Sequence, residues 1–369
     1  MINAFQIDVL SDLVDAVDVL VPPKYNGIFL GLHCTINVDD VQEKIDFEEE
    51  RLQLSRQRYF KAALNDSDAY HQTYHEYDEI LEKLTQITRQ YPAVSSLAYY
   101  GTSLEGRSLP VVRIKGTTTG TKQTVYINGG IHAREWVSAA TSVYIIQNLA
   151  EKYGSDAEVT RLLNAIEFVI TPMSNPDGYA FTWSDDRLWR KNRRVNTGSV
   201  CRGVDLNRNF DVYWGTGSSN VACAEDFHGT AAGSEPEVKA IQTLVSSLSN
   251  KIGAIDIHAY GQYILRPYGW TNSLHPQETT LKALGDAVAA KIRATTGTVY
   301  SSIRSAQLYP VSGASDDWFT VKLGLWGYCF ELRDTGRYGF RLPEDQILGT
   351  GQEIFQGVLT YASYVLANF

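Results

Sequence analysis

Nearly continuous apolar runs recur along the chain after about residue 65, and such runs are typical of parallel strands buried on both faces. We predict four of these strands, at 124–127, 165–170, 252–257 and 327–332. Segments with helical apolar spacing alternate with them. The pattern predicts an α/β fold with a mixed, largely parallel central sheet flanked by helices.

Three helices are predicted in the second half of the chain. One begins near Pro236, because Ser234 and Glu237 have capping-box spacing and apolar residues then repeat at intervals of three and four. The other two are expected at 276–293 and 354–366. Their apolar faces should cover the sheet.

The N-terminal sixth of the chain has a different pattern. Residues 17–39 alternate strand, short helix and strand, with the helix at 25–33, which indicates a small α/β unit too short to fold alone. Residues 41–63 are helical in period and polar on most faces, so we expect a solvated helix. The pattern changes after about residue 65, so the chain has a short N-terminal segment followed by one large domain. A plain charged linker helix is the alternative interpretation of 41–63.

Composition narrows the protein class. The 369 residues are 44% hydrophobic and 20% charged, which is a globular mixture. No segment approaches the roughly 18 apolar residues of a membrane span, and acidic residues interrupt the N-terminal region where a signal peptide is apolar. The 42 acidic residues outnumber 33 basic ones, which opposes nucleic-acid binding. A cytosolic and a secreted location both stay open at this point.

Four cysteines are too few for a disulfide-dense scaffold. Cys201 and Cys223 lie in a Gly/Ser/Asn-rich stretch, where a loop-closing disulfide is plausible and two unrelated thiols are the alternative. Cys34 and Cys329 lie in apolar runs, so we expect both to be buried thiols.

Polar residues follow each predicted strand, at the edge where open α/β sheets bind ligands. His132 and Glu135 follow the first strand and His258 follows the third. Two imidazoles and one carboxylate are the set that leaves zinc an open position. The sequence predicts one catalytic zinc ion per chain, with a surface His-x-x-Glu pair as the alternative.

Catalysis at such a metal needs a base that takes a proton from the attacking water and a cation that stabilises the oxyanion. Glu331, inside the apolar run LWGYCFEL, is the candidate base, although an edge-strand glutamate facing solvent is the alternative. Arginines that could line the crevice suggest an anionic substrate group, although a charged surface loop would also explain most of them. These arginines are Arg134, Arg187, Arg190, Arg193, Arg194 and Arg208.

From about residue 70 onward the chain resembles the digestive zinc metallocarboxypeptidases of the A/B type. The matching phrases are INGGIHAREW, SNPDGY, RLWRKNRR, GVDLNRNF, DIHAYGQYILRPYG, LYPVSGASDDW and FELRDTGRYGF. The resemblance implies that His132, Glu135 and His258 ligate zinc and that Glu331 is the general base. It further implies that Arg190 holds the scissile carbonyl and its oxyanion, that Asn207, Arg208 and Tyr309 bind the terminal carboxylate, and that Arg134, Tyr260 and Phe340 line the approach.

The same resemblance suggests a specificity. Asp316, the first acid of SGASDDW, occupies the position that is acidic in B-type and apolar in A-type enzymes, so C-terminal Lys or Arg should be preferred. Two departures point the other way: Gly269 replaces a hydroxyl residue, and Arg304 could neutralise Asp316 and restore an A-type preference. Asp316 as a mere turn or helix cap is a further alternative.

Two other functions are weighed against these. An inactive relative that binds peptide C-termini would be expected to lack ligands or the base, and none is missing here. A zinc amidohydrolase acting on small acylated amino acids would lack Tyr309 and the SGASDDW region.

Upstream, VDVLVPP and the helix predicted at 41–63, which is basic in its second half, resemble the end of an inhibitory pro-domain. The first strand and helix of such a pro-domain are unrecognisable here. The resemblance implies a secreted zymogen, cut by a trypsin-like protease after Arg58 or Lys61, with a pro-segment at 1–61 and a catalytic domain at 62–369. Arg51 and Arg56 are other basic sites, and Asn65 begins a glycosylation sequon. The resemblance also implies a Cys201–Cys223 bridge. Peptides with a free C-terminus are the expected substrates, proteinaceous carboxypeptidase inhibitors are expected partners, and a monomer is expected.

Overall fold

The computed structural model describes residues 8–12, 17–22, 34–36, 38–62 and 69–369. Its centre is an eight-stranded sheet, and a separate two-stranded sheet, β1 with β2, lies in the N-terminal segment. The strands are β1 (Asp8–Asp12), β2 (Val17–Leu20), β3 (Ser95–Thr102), β4 (Ser108–Ile114), β5 (Gln123–Gly129), β6 (Ile166–Thr171), β7 (Lys251–His258), β8 (Tyr263–Arg266), β9 (Ser301–Arg304) and β10 (Trp326–Glu331).

The large sheet has the order β3-β4-β6-β5-β7-β10-β8-β9. Its middle strands β6, β5, β7 and β10 are parallel, while β3, β4 and β8 join antiparallel neighbours. The four predicted strands are confirmed as these middle strands, to within two residues at each end. Their parallel register pairs His258 with Glu331, so their carboxyl ends meet at one edge.

Helices cover both faces of this sheet, which confirms the predicted mixed α/β fold. Along β6, Phe168 and Ile170 enter one apolar core and Val169 enters the other, which explains the continuous apolar run. The helices are α1 (Val41–Ala62), α2 (Tyr77–Gln90), α3 (Trp136–Lys152), α4 (Ala157–Ala165), α5 (Pro176–Ser184), α6 (Pro236–Ser247), α7 (Glu278–Thr296), α8 (Ser305–Leu308), α9 (Ser315–Val321) and α10 (Ile347–Asn368). Among the helices of the described ranges, none combines the length and the apolar content that a membrane span requires.

The predicted capping box of α6 is wrong. Glu235, not Ser234, is the N-cap residue, and no side chain caps the helix. Glu237 turns away because its buried carboxylate accepts a hydrogen bond from the Leu104 backbone N–H at 2.9 Å. The helix still begins at Pro236, whose fixed φ suits the first helical position.

The N-terminal segment departs from its predicted pattern. β2 matches the first predicted strand, and it pairs antiparallel with β1, which its acidic sequence did not suggest. The predicted helix at 25–33 lies outside the described residues. The predicted strand at 34–39 is wrong over 34–36 and 38–39, which form no strand, and Cys34 is exposed rather than buried.

Helix α1 docks one face on the large domain while most of its other described positions are exposed, so the predicted solvated helix is confirmed only in part. Glu48 and Leu52 are buried on its inner face, and Glu48 pairs with Arg187 at 3.0 Å. Two basic residues of α1 also pair with acids of the large domain, Arg51 with Glu344 and Arg56 with Glu79, each at 2.8 Å. The predicted boundary between residues 61 and 62 falls at the last turn of this helix.

Candidate active site

Three buried side chains converge at the carboxyl edge of the sheet. His132 follows β5, Glu135 stands at the N-cap of α3, and His258 ends β7. The Nδ1 atoms of the two histidines lie 3.1 Å apart, and they lie 2.8 and 3.1 Å from the two oxygens of Glu135. These residues form a group able to hold a metal ion, as the sequence predicts.

Two further carboxylates orient the imidazoles from behind. His132 Nε2 lies 3.1 Å from Asp205, and His258 Nε2 lies 3.1 Å from Asp256. A ring N–H donated to a carboxylate fixes the tautomer and directs the other nitrogen at the metal. Both Nδ1 atoms are therefore prepared as ligands.

The electrostatics of the site favour a cation. Burial would raise the pKa of Glu135, but the charges of His132 and His258 outweigh burial and lower this pKa. Burial would lower the pKa of His258, but Asp256 and Glu135 raise it well above its usual value. A divalent cation that replaced the imidazole proton would supply the positive charge that these buried carboxylates stabilise. The His₂Glu donor set and its second carboxylates fit zinc.

Glu331 lies beside this centre at the end of β10. Because β10 is an interior strand between β7 and β8, the alternative of a solvent-facing edge glutamate is excluded. Burial first and then the Glu135 charge raise the pKa of Glu331 to about 7, against the opposing charges of His258 and Arg190. A carboxylate with such a pKa can both take and return a proton near neutral pH.

Arg190 is the one arginine of RLWRKNRR whose guanidinium adjoins the metal ligands. Its Nε and Nη2 atoms donate to Asp205 at 3.1 and 2.9 Å, while Nη1 lies 3.8 Å from Glu135 Oε1. The other three serve elsewhere: Arg187 pairs with Glu48, Arg193 stacks on Phe181, and Arg194 pairs with Glu235. Three of the four arginines in RLWRKNRR therefore make structural contacts, and only Arg190 contacts the metal-ligand group.

The residues expected to bind a terminal carboxylate lie next to the metal site. Asn207 Nδ2 is 3.3 Å from His258 Nε2, and Asn207 Oδ1 accepts the Ser315 backbone N–H at 2.8 Å. Arg208 follows Asn207, and its guanidinium carbon is 5.9 Å from the centroid of the Tyr309 ring. The three side chains thus form one group.

The residues expected along the approach form a second group. The guanidinium carbon of Arg134 is 4.1 Å from the centroid of the Phe340 ring, and Tyr260 meets Phe340 edge-on at 4.9 Å. Arg187 connects this group to helix α1, because it donates to the carbonyl oxygens of Arg134 and Phe340 as well as to Glu48.

Asp316 is buried near the start of α9, and Ser305 Oγ donates to its Oδ2 atom at 2.9 Å. Arg304 does not neutralise it: Arg304 Nη1 donates to the Asn272 carbonyl at 2.7 Å, and Asp316 forms no ion pair within the described ranges. Asp317 has a different environment, because it accepts the backbone N–H groups of Gly269 and Trp270.

The predicted disulfide is confirmed, since Cys201 and Cys223 are bonded. Cys329 is buried as predicted, and its thiol lies 3.6 Å from Glu331 Oε1.

Sequence reasoning missed Asp205, Asp256 and Ser305. Asp256 had a usable signal, because it precedes His258 by two residues on a strand and so shares its face. Asp205 also had a signal, because it lies in the matching phrase GVDLNRNF two residues before Asn207. Ser305 had none, since it contacts a residue whose position only the fold reveals.

The fold and this site define an α/β protein with a catalytic-type metal centre at the carboxyl edge of its sheet. A family model, zinc carboxypeptidase, matches residues 80–357. The chain belongs to this family. Among relatives, carboxypeptidase A1 of Bos taurus is 38% identical over 95% of this chain and 85% of that protein. Carboxypeptidase B of Homo sapiens is 37% identical over 81% of this chain and 72% of that protein. A solved structure, bovine thrombin-activatable fibrinolysis inhibitor in complex with tick carboxypeptidase inhibitor, has a TM-score of 0.76 and 35% identity over 81% of this chain and 100% of that one.

Proposed function

We propose that this zinc carboxypeptidase is a secreted zymogen that removes single C-terminal Lys or Arg residues from peptides and proteins. One observation carries the specificity: the Asp316 carboxylate is buried and has no ion-pair partner among the described residues. A buried, uncompensated carboxylate is costly, and a substrate ammonium or guanidinium group would compensate it.

The roles of the side chains follow from their positions. Asn207, Arg208 and Tyr309 hold the terminal carboxylate, and binding that group restricts cleavage to the last peptide bond. Arg190 hydrogen-bonds the scissile carbonyl oxygen as negative charge develops on it. Glu331 takes a proton from the attacking water and returns it to the leaving amine.

His132, Glu135 and His258 would hold the zinc ion, which supplies Lewis acidity and lowers the pKa of the attacking water. Asp205 and Asp256 keep the two imidazoles oriented throughout. Arg134, Tyr260 and Phe340 contact the substrate residues before the scissile bond.

Residues 1–61 act as a pro-segment and 62–369 as the catalytic domain. Glu48 of the pro-segment supports this division. It accepts a hydrogen bond from Arg187, and Arg187 also donates to the Phe340 carbonyl at the cleft. Arg58 is the preferred cleavage site: it is exposed, whereas Arg51 and Arg56 are paired. The Lys61 side chain and the Asn65 sequon lie outside the described residues.

Activation by a trypsin-like protease and a disulfide both suit an extracellular location. Because the bovine relative binds tick carboxypeptidase inhibitor, proteinaceous inhibitors of this kind are proposed partners of this chain too. The enzyme acts as a monomer, without nucleic acid or membrane partners.

The test is hydrolysis of matched peptides ending in Lys, Arg, Leu or Phe, before and after limited trypsin treatment, with and without a zinc chelator. We expect chelator-sensitive release of Lys and Arg that increases when the chain is shortened near Arg58. Release of Leu or Phe instead would establish the A-type alternative. A Glu331→Gln variant should keep its zinc and lose turnover, and failure of the parent protein to cleave any peptide would favour a C-terminus-binding relative.

A further inference from the structure

We infer that Ser305 determines specificity: its hydroxyl holds the Asp316 carboxylate in the orientation that a cationic C-terminal side chain requires. The inference rests on the proposed Lys/Arg preference and assigns part of it to a residue outside the predicted site. Ser305 is the first residue of α8, directly after β9.

The contact is direct and enclosed. Ser305 Oγ donates to Asp316 Oδ2 at 2.9 Å, and the two residues are only 5% and 4% exposed. A hydroxyl hydrogen bond to a buried carboxylate favours its ionised form. Burial raises the pKa of Asp316, and the Ser305 hydrogen bond is the largest effect opposing this rise.

Gly269 explains why the hydroxyl comes from position 305. A Cβ atom at Gly269 would lie 2.7 Å from Val311 Cγ1 and 3.3 Å from Ser305 Cβ, so a serine there has no room. The two segments are adjacent, because the Ala306 backbone N–H donates to the Tyr268 carbonyl at 2.9 Å. Position 269 therefore cannot supply a hydroxyl to this pocket, and the adjacent Ser305 does.

The neighbouring acid cannot take over this role. Both oxygens of Asp317 lie within 3.2 Å of the Gly269 N–H, and Oδ2 also accepts the Trp270 N–H at 2.8 Å. Asp317 thus anchors the loop. Asp316 receives one side-chain hydrogen bond within the described residues, from Ser305, which leaves its Oδ1 atom free of side-chain donors there.

Arg304 does not compete for Asp316. Its backbone N–H donates to Gln307 Oε1 and its guanidinium to the Asn272 carbonyl, so the side chain is directed to the outer loop. The charges of Asp256 and His258, which belong to the metal site, and of the adjacent Asp317 also act on Asp316. Ser305 is the polar neighbour that can be changed without touching the metal ligands.

The test compares the trypsin-treated parent with Ser305→Ala and Ser305→Thr on peptides ending in Arg, Lys, Leu and Phe. Because hydrogen bonds to charged groups are the strong ones, we expect Ser305→Ala to lower kcat/KM for Arg and Lys by about tenfold or more, mainly through KM. Leu and Phe peptides should change less than twofold. Ser305→Thr, which keeps the hydroxyl, should restore Arg and Lys cleavage.

Ser302→Ala is the matched control, since the Ser302 hydroxyl contacts Arg266 and not Asp316. Inhibition by free arginine and by free leucine gives a second readout, and only that by arginine should weaken in Ser305→Ala. An equal loss on all four peptides, or unchanged Arg and Lys cleavage, would overturn the role of Ser305 but not the proposed Lys/Arg preference. A parent that cleaves Leu and Phe but not Arg or Lys would overturn the proposed specificity together with it.

Discussion

Glu237 makes the stability of this protein depend on pH in a way that one substitution should remove. Its carboxyl group is fully buried at the start of α6, where it accepts the Leu104 backbone N–H. Burial first, then the charges of Glu235 and Asp177, raise its pKa from 4.5 to about 7. We therefore consider Glu237→Gln, which keeps the acceptor for Leu104 and removes the ionisation.

The sign follows from proton linkage. Between pH 4.5 and 7 the folded protein keeps a proton that the unfolded chain has lost, so the stability contribution of Glu237 falls as pH rises. A pKa rise from 4.5 to about 7, at about 1.36 kcal/mol for each pH unit, amounts to about 3 kcal/mol. The loss is complete above pH 7 and absent below pH 4.5.

Urea unfolding of the zinc-loaded parent and of Glu237→Gln at pH 5, 6, 7 and 8 measures this contribution, because other titrating groups cancel in the difference. The variant should gain on the parent by about 2 to 3 kcal/mol between pH 5 and 8. Glu82→Gln, at an exposed position of α2, is the control and should show a constant difference. A difference for Glu237→Gln that does not change with pH would refute the linkage.

Two further predictions concern the metal site and the disulfide. Asp205→Asn removes the charge that orients both His132 and Arg190, so zinc affinity in a chelator competition should fall about 10- to 100-fold; unchanged affinity would contradict the role of Asp205. Replacing Cys201 and Cys223 by serine opens a crosslink over 22 residues, and urea unfolding should show a loss of about 3 kcal/mol. A loss below 1 kcal/mol would indicate that the loop is already ordered without the bridge.

The middle of the sheet could be predicted from sequence because its cause is local. Strands buried on both faces need apolar residues at every position, and that requirement is visible in the sequence itself. The metal ligands were predictable for a related reason: His132, Glu135 and His258 follow strands whose carboxyl ends must meet in a parallel sheet.

Features that depend on tertiary contacts could not be predicted in this way. Helix α1 looks solvated because Glu48 is charged, but the fold brings Arg187 to it and the ion pair is buried. Glu237 has the spacing of a capping box, but the Leu104 backbone, 133 residues away, is a competing donor. In both cases the decisive partner is distant in the chain.

Asp316 and Asp317 differ in the hydrogen-bond donors that the fold places around them. They are chemically identical and adjacent in α9, so composition and spacing cannot distinguish them. Consecutive residues of a helix point about 100° apart, and the fold presents two loop N–H groups to Asp317 but the Ser305 hydroxyl to Asp316. The loop N–H groups make Asp317 part of the framework. Asp316 has one side-chain donor, Ser305, and the backbone of Asp317, and it has no ion-pair partner among the described residues. The proposed Lys/Arg preference thus depends on how hydrogen-bond donors are distributed around two chemically equal acids.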